Sequence, residues 1–145
     1  MIRRLALVGL GLLGGSVAKA ARADGLADEI VAVGRDRARL EPALRDGVVG
    51  RISTRLEEGV AGADFCLLAT PVATLTALLP VVWHALPADA VLTDVGSTKG
   101  FIVETAEGLA RTRPLAFVGS HPMAGSEQSG YRVARPDLFR GATVV

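Results

Sequence analysis

Six residues near the start of the chain, Gly9-Leu10-Gly11-Leu12-Leu13-Gly14, constrain the fold more than any others. An apolar run, Leu5-Ala6-Leu7-Val8, leads into them, and a helix-compatible segment, Gly15 to Ala23, leads out. The order is therefore strand, tight glycine turn, helix. In a turn of this kind Gly9 permits the sharp bend, and Gly11 leaves the backbone open to a pyrophosphate. Gly14 lets the helix pack closely on the strand. Free N–H groups and the positive end of the helix dipole then face the phosphates. The motif predicts a dinucleotide site that uses backbone from Gly9, Leu10, Gly11, Leu12, Leu13 and Gly14.

Composition agrees with that start. The chain has 145 residues, half of them hydrophobic and only 4% aromatic. That is enough for one domain, residues 1–145, with an Ala/Val/Leu core, and it offers no aromatic platform for stacking bases. A formal net charge of +1 gives no field that would select nucleic acid or a membrane surface. The single cysteine, Cys66, lies in an apolar run, so no disulfide framework or zinc site can form within one chain. That usage fits a reducing, cytoplasmic setting. Arg3 and Arg4 before an apolar stretch resemble the start of a secretory signal. The glycines interrupt the stretch at once, which argues against one.

Further along, apolar runs alternate with helical patterns. Strands are predicted at Glu29–Val33, Asp64–Ala69, Ala90–Asp94 and Leu115–Val118, with a short edge strand within Val48–Ser53 and a last strand at Ala142–Val145. Helices are predicted over Asp36–Arg45, Leu56–Ala61, Val72–Leu86 and Thr98–Ala110, with Pro80 expected to kink the third of these. The alternation predicts an α/β fold: a doubly wound, mostly parallel sheet of the Rossmann type, with helices on both faces. Ligands in such sheets bind at the carboxyl ends of the strands. Five polar clusters fall at those ends: Gly9–Gly14, Gly34–Arg35, Thr70-Pro71, Asp94–Lys99 and Ser120–Gly130.

The second strand bears on the cofactor. An NAD site usually has an acidic residue about 20 residues past the glycines, bonding the ribose 2′-hydroxyl. Counting from Gly14 reaches Gly34, followed by Arg35. Without a carboxylate there, a 2′-phosphate meets no repulsion and a guanidinium can hold it. NADP is therefore the expected cofactor, with NAD the alternative. A strand longer by two residues would instead make Asp36 the ribose ligand, and Arg35 also reads as a solvated loop residue. Thr70 and Pro71 end a buried strand where backbone would flank the nicotinamide ribose, and they read equally as a helix start with Pro at N1.

The remaining clusters carry the chemistry. Ser97 follows a strand that ends in Asp94 and reads locally as a helix N-cap. His121 is one of two histidines; the other, His84, falls late in a helix and reads as a surface residue. An imidazole at the ligand edge titrates near neutrality, which suits a base for a hydroxyl that loses its proton as hydride leaves the same carbon. His121 also reads as a structural residue bonding its own loop. Ser126 and Glu127 are candidate substrate contacts or capping residues.

Taken in order, Gly9–Ser16, Ala69-Thr70-Pro71-Val72, Asp94-Val95-Gly96-Ser97-Thr98-Lys99 and His121-Pro122-Met123-Ala124-Gly125-Ser126-Glu127-Gln128-Ser129-Gly130 resemble the prephenate/arogenate dehydrogenase family of tyrosine biosynthesis. The resemblance covers the whole chain. It implies oxidative decarboxylation of a cyclohexadienol: hydride passes from the hydroxyl-bearing ring carbon to the nicotinamide, and the ring carboxylate leaves as carbon dioxide. His121 matches the family histidine that accepts the hydroxyl proton. Ser97 matches the serine that orients this histidine and touches the same hydroxyl. Ser126 and Glu127 match loop positions near the substrate side chain. Family members also resemble one another in a helical second domain that dimerises and supplies an arginine for the ring carboxylate. No residue of this chain matches that arginine. The expectation is a cofactor-binding half that exposes the apolar surface its helical partner domain would cover, and that associates through it.

Overall fold

A computed structural model describes residues 1–145. Six strands form one sheet in the order β3-β2-β1-β4-β5-β6, and every pairing is parallel. The strands are β1 (Ile2–Val8), β2 (Ala27–Val33), β3 (Arg51–Ser53), β4 (Phe65–Leu68), β5 (Val91–Asp94) and β6 (Ala116–Val118). The helices are α1 (Leu12–Ala23), α2 (Arg37–Arg45), α3 (Leu56–Val60), α4 (Val72–Ala85) and α5 (Gly100–Ala110), with a single 3-10 turn at Tyr131–Val133. The chain starts mid-sheet, winds outward through β2 and β3, then returns past β1 to β4, β5 and β6. The reversal opens a crevice beside β1, the place where ligands bind in such sheets.

Alternation along the central strands explains the two layers. Leu5 and Leu7 of β1, with Ile30 and Ala32 of β2, face α1 and α2 and pack with Ala18, Ala21, Leu40 and Ala43. Ala6 and Val8, with Val31, Val33, Cys66 and Leu68, face the opposite layer and pack with Leu75, Leu79, Trp83 and Ile102. Burial on both faces makes these strands read as unbroken apolar runs. Cys66 belongs to this core, and burial pushes its thiol up to about 12, which leaves it unreactive. The covering thins toward β6, where Ala116 and Val118 are exposed. No helix is long and apolar enough to cross a membrane.

Several boundaries differ from the sequence reading. β1 begins at Ile2 rather than Leu5, because Arg3 and Arg4 give their N–H groups to the Asp64 carboxylate at 3.0 and 2.8 Å and are drawn into the sheet. The edge strand is shorter, Arg51–Ser53. α4 continues through Pro80, which lies on its exposed face. Pro71 is the N-cap of α4 rather than its first residue. α5 starts at Gly100, with Lys99 as N-cap, so Ser97 does not cap it. The tail adds no strand to the sheet. Val144 bridges Pro122 in antiparallel fashion, and His121 and Val145 exchange both backbone hydrogen bonds at 2.7 and 3.0 Å.

Candidate functional site

Register aligns the strand ends into one rim. Ser53 lies opposite Val33, Val33 opposite Val8, Val8 opposite Leu68, and Leu68 opposite Asp94. Thr93 pairs with Val118, which brings Gly119 beside Asp94. The residues that follow each strand, from Gly34 to His121, therefore emerge on the same edge of the sheet.

At the centre of that edge is the glycine turn. Gly9 adopts φ +96°, and a Cβ there would lie 2.8 Å from the Ala69 carbonyl oxygen, so it must be glycine. A Cβ on Gly14 would come within 2.0 Å of the Gly9 oxygen, so the helix can approach the turn only as glycine. Gly11 differs: a Cβ there would meet nothing within 4 Å. No packing excludes a side chain at Gly11, whereas a ligand lying on the backbone would. Gly11 is also the N-cap of α1, with no side-chain cap and no acidic residue in the first turn. The first-turn N–H groups, Leu12 and Leu13 among them, are thus left for an external acceptor.

An open cleft of about 1130 Å³ runs along this rim. Gly9, Leu10, Gly11, Gly34, Arg35, Thr70 and Pro71, all residues expected to meet the cofactor, line it. Leu12, Leu13 and Gly14 do not, and what they offer is backbone. Thr70 Oγ1 is buried without a hydrogen-bond partner. A buried hydroxyl is normally satisfied, so an unpaired one on a cleft wall fits a polar ligand group. Free donors, an open glycine and an unpaired hydroxyl together fit a dinucleotide.

At the outer end of the cleft, Asp36 sits beside Gly34 and Arg35. Its carboxylate caps α2 by accepting the Ala38 N–H at 3.0 Å, and it lies 3.6 Å from Arg39 Nε. The cap holds Asp36 in place on the cleft wall. Sequence reasoning did not find the wall contributed by Ser129, Gly130, Tyr131 and Arg132. These residues return from the far side of the sheet and dock on α1. Lys19 donates to the Ala134 carbonyl at 2.7 Å and lies 4.4 Å over the Tyr131 ring; the Arg135 N–H reaches the buried Ser16 hydroxyl at 3.0 Å. Tyr131 donates to Asp46 at 2.8 Å, and burial followed by that carboxylate holds its phenol protonated. The one legible trace was Gly15, where a Cβ would lie 2.9 Å from the Ala134 Cβ.

The other half of the rim is built on Asp94. This carboxylate is fully buried. One oxygen accepts the Gly96 N–H at 2.8 Å and pairs with the Lys99 ammonium; the other accepts the Ser120 N–H at 3.2 Å. The Ser120 hydroxyl donates in turn to the Asp94 carbonyl. The turn that carries Ser97 and the loop that carries His121 are thereby fastened to one residue. Ser97 is exposed and His121 half-buried. Ser126 accepts the Gln128 N–H at 3.0 Å within an exposed turn, and Glu127 is exposed beside it. Ser97 and His121 follow strand ends on the cofactor edge, and none of Ser97, His121, Ser126 and Glu127 lines the cleft itself. His84 is on the surface, with Nδ1 3.1 Å from the Pro80 carbonyl.

Fold and site together define a dinucleotide-binding domain of the doubly wound class, with a second polar cluster on the adjoining strand ends. Residues 17–145 match the family described as prephenate dehydrogenase, nucleotide-binding domain, and the chain belongs to that family. It is 36% identical over 137 residues to the prephenate dehydrogenase of Bacillus subtilis, covering 94% of this chain and 37% of that protein. The structure of A. aeolicus prephenate dehydrogenase in complex with hydroxyphenyl propionate and NAD+ superposes with a TM-score of 0.88 at 31% identity, covering 99% of this chain and 50% of that one. Synechocystis arogenate dehydrogenase gives 0.87 at 30% identity, covering 97% and 48%. The chain thus spans about half, or less, of the relatives it matches.

Proposed function

We propose that this chain is the cofactor-binding half of a dehydrogenase that oxidatively decarboxylates prephenate or arogenate. The observation that carries the reading is the Asp94 junction, which brings the Ser97 turn and the His121 loop onto the rim that holds the glycine turn. The bound nicotinamide supplies a hydride acceptor. His121 takes the proton from the ring hydroxyl as the hydride leaves its carbon, so the hydroxyl becomes a carbonyl. The ring carboxylate departs as carbon dioxide, its bonding electrons pass through the ring onto the carbonyl oxygen, that oxygen takes back a proton, and the product is a phenol. Ser97 orients the imidazole and touches the same hydroxyl. Ser126 and Glu127 face the substrate side chain. Family likeness supports these roles, as does the shared edge.

The preferred cofactor is read as NADP, supported by Gly34 and Arg35 on the cleft wall. A specific observation favours NAD as a second reading. Asp36 lies on the same wall with its carboxylate fixed by the helix cap, where it would accept from a ribose hydroxyl and repel a 2′-phosphate. The hydroxyphenyl propionate and NAD+ of the A. aeolicus complex support both the substrate class and a nicotinamide cofactor. We further place the substrate-completing arginine and a homodimer contact in a helical domain that accompanies this one, and the protein in the cytoplasm.

The test is turnover of the full-length protein with both substrates and both cofactors. The reading predicts nucleotide reduction that depends on prephenate or arogenate and releases carbon dioxide. A protein that binds nucleotide and reduces none with either substrate is a binding module instead. Affinity for NAD exceeding that for NADP would overturn the NADP preference.

A further inference from the structure

We propose that Asp94 is a positioning residue for His121, acting through Ser120. The inference rests on the reading above for its catalytic consequence, and on geometry alone for its structural content.

A carboxylate buried at the end of a strand is costly unless both of its oxygens find donors. Asp94 meets that condition from two directions. Oδ2 receives Gly96 and Lys99, both on the Ser97 side, and Oδ1 receives the Ser120 N–H, on the His121 side. The Ser120 hydroxyl closes a second link onto the Asp94 carbonyl. Thr93, one residue earlier, donates to the Val118 carbonyl at 2.6 Å, so both ends of the Val118–Ser120 step are held by β5. His121 is the next residue. Its backbone is gripped from the other side by Val145. The segment between these two anchors has little freedom other than what Asp94 allows it.

The arrangement asks for an acid at position 94. All the groups around the carboxylate are donors, so an amide of the same shape must turn its NH2 toward one of them. Lys99 needs an acceptor more than a backbone N–H does, which keeps the amide oxygen on the Oδ2 side. In the Asp94→Asn variant the side-chain NH2 would then oppose the Ser120 N–H. An isosteric change in the interior is thus transmitted to the histidine loop, while the glycine turn, across β4, is left alone. Displacement by about 1 Å of a reacting group is enough to cost on the order of 100-fold in rate.

Hydrogen exchange and side-chain NMR on this chain test the structural claim. In Asp94→Asn, the Ser120 and His121 amides should lose at least tenfold protection and the His121 ring resonances should move, while His84 and the Leu92 amide stay unchanged. Ser120→Ala removes the hydroxyl's links to the Asp94 carbonyl and the Thr93 hydroxyl and leaves the Asp94 carboxylate with all its donors. It should shift the His121 ring resonances, by less, and it keeps the test open if Asp94→Asn fails to fold. His121 resonances and protection that match the parent chain in either folded variant would overturn the proposal. In the full-length protein, Asp94→Asn should lower kcat at least tenfold with nucleotide Kd within twofold. A proportional loss of nucleotide affinity would make Asp94 merely structural. If the parent protein shows no turnover with either substrate, the functional reading falls, and the NMR result still decides the role of Asp94.

Discussion

Gly11 and Gly14, three residues apart, should respond oppositely to the same substitution. Gly14→Ala places a methyl 2.0 Å from the Gly9 oxygen, so the turn and the domain should be lost together. Gly11 has φ −90° and open space around its missing Cβ. Gly11→Ala should leave stability within about 0.5 kcal/mol of the parent in urea denaturation, while weakening dinucleotide binding at least tenfold by fluorescence titration. Equal binding in Gly11→Ala would mean that no phosphate lies on that backbone. At His121, the His121→Asn change in the full-length protein should lower kcat by about 10² to 10⁴, the range a general base contributes, with nucleotide affinity retained. The glycines were legible because the spacing of a local motif fixes what each must do, and His121 was legible as an imidazole following a strand at the ligand edge. Asp94 was legible only as a strand end. Its partner Ser120 lies 26 residues away, and nothing local tells a buried acceptor from a solvated one.

The helix starts at Leu56 and Val72 fall where the sequence put them, while β1 and β2 begin two or three residues earlier than their apolar runs suggested. Apolar runs buried on both faces mark β1, β2 and β4, whereas α5 starts two residues after the expected Thr98, behind a turn in which Lys99 pairs with the buried Asp94. The tail has a strand-like sequence, Ala142–Val145, and it does pair, but with the His121–Met123 loop instead of the sheet. Register was set by contacts that the apolar pattern cannot encode. The entry into β1 carries a prediction of its own. Asp64 ties Arg3 and Arg4 to the start of β4. Burial pushes its carboxyl up, but the Arg3 and Arg4 N–H groups and the Arg3 charge outweigh burial and hold it below its ordinary value. A carboxyl depressed on folding stabilises above its unfolded pKa, about 3.9, and that contribution is lost as pH falls through the folded value. Asp64→Asn should therefore cost on the order of 1 kcal/mol at pH 7. The urea midpoints of variant and parent should converge as pH falls toward 3, and a constant gap would contradict this account.

For the molecule as a whole, the fold class followed from the alternation of elements, while the strand order, and with it the place of the crevice beside β1, came from the structure. What the alternation could not reveal was the covering. The sheet is wrapped on both faces at its centre, while β6 is an open edge strand, and Val118, Met123, Val144 and the first-turn Phe101 are all more than half exposed. An unpaired edge beside exposed apolar side chains favours association. Light scattering should show the chain self-associating with rising concentration, and Phe101→Ser combined with Met123→Ser should reduce this. A strictly monomeric profile at high concentration would show that the face needs no cover. The central claim is that the glycine turn and the His121 loop meet around one nicotinamide ring. Its most direct test is a nuclear Overhauser measurement between the nicotinamide protons and the His121 ring in the dinucleotide complex, with His84 as the internal control. The account predicts a cross-peak to His121, lost in His121→Asn, together with shifted Gly9 to Gly14 amides. Shifted glycine amides with the His121 ring unmoved and without a cross-peak would contradict it.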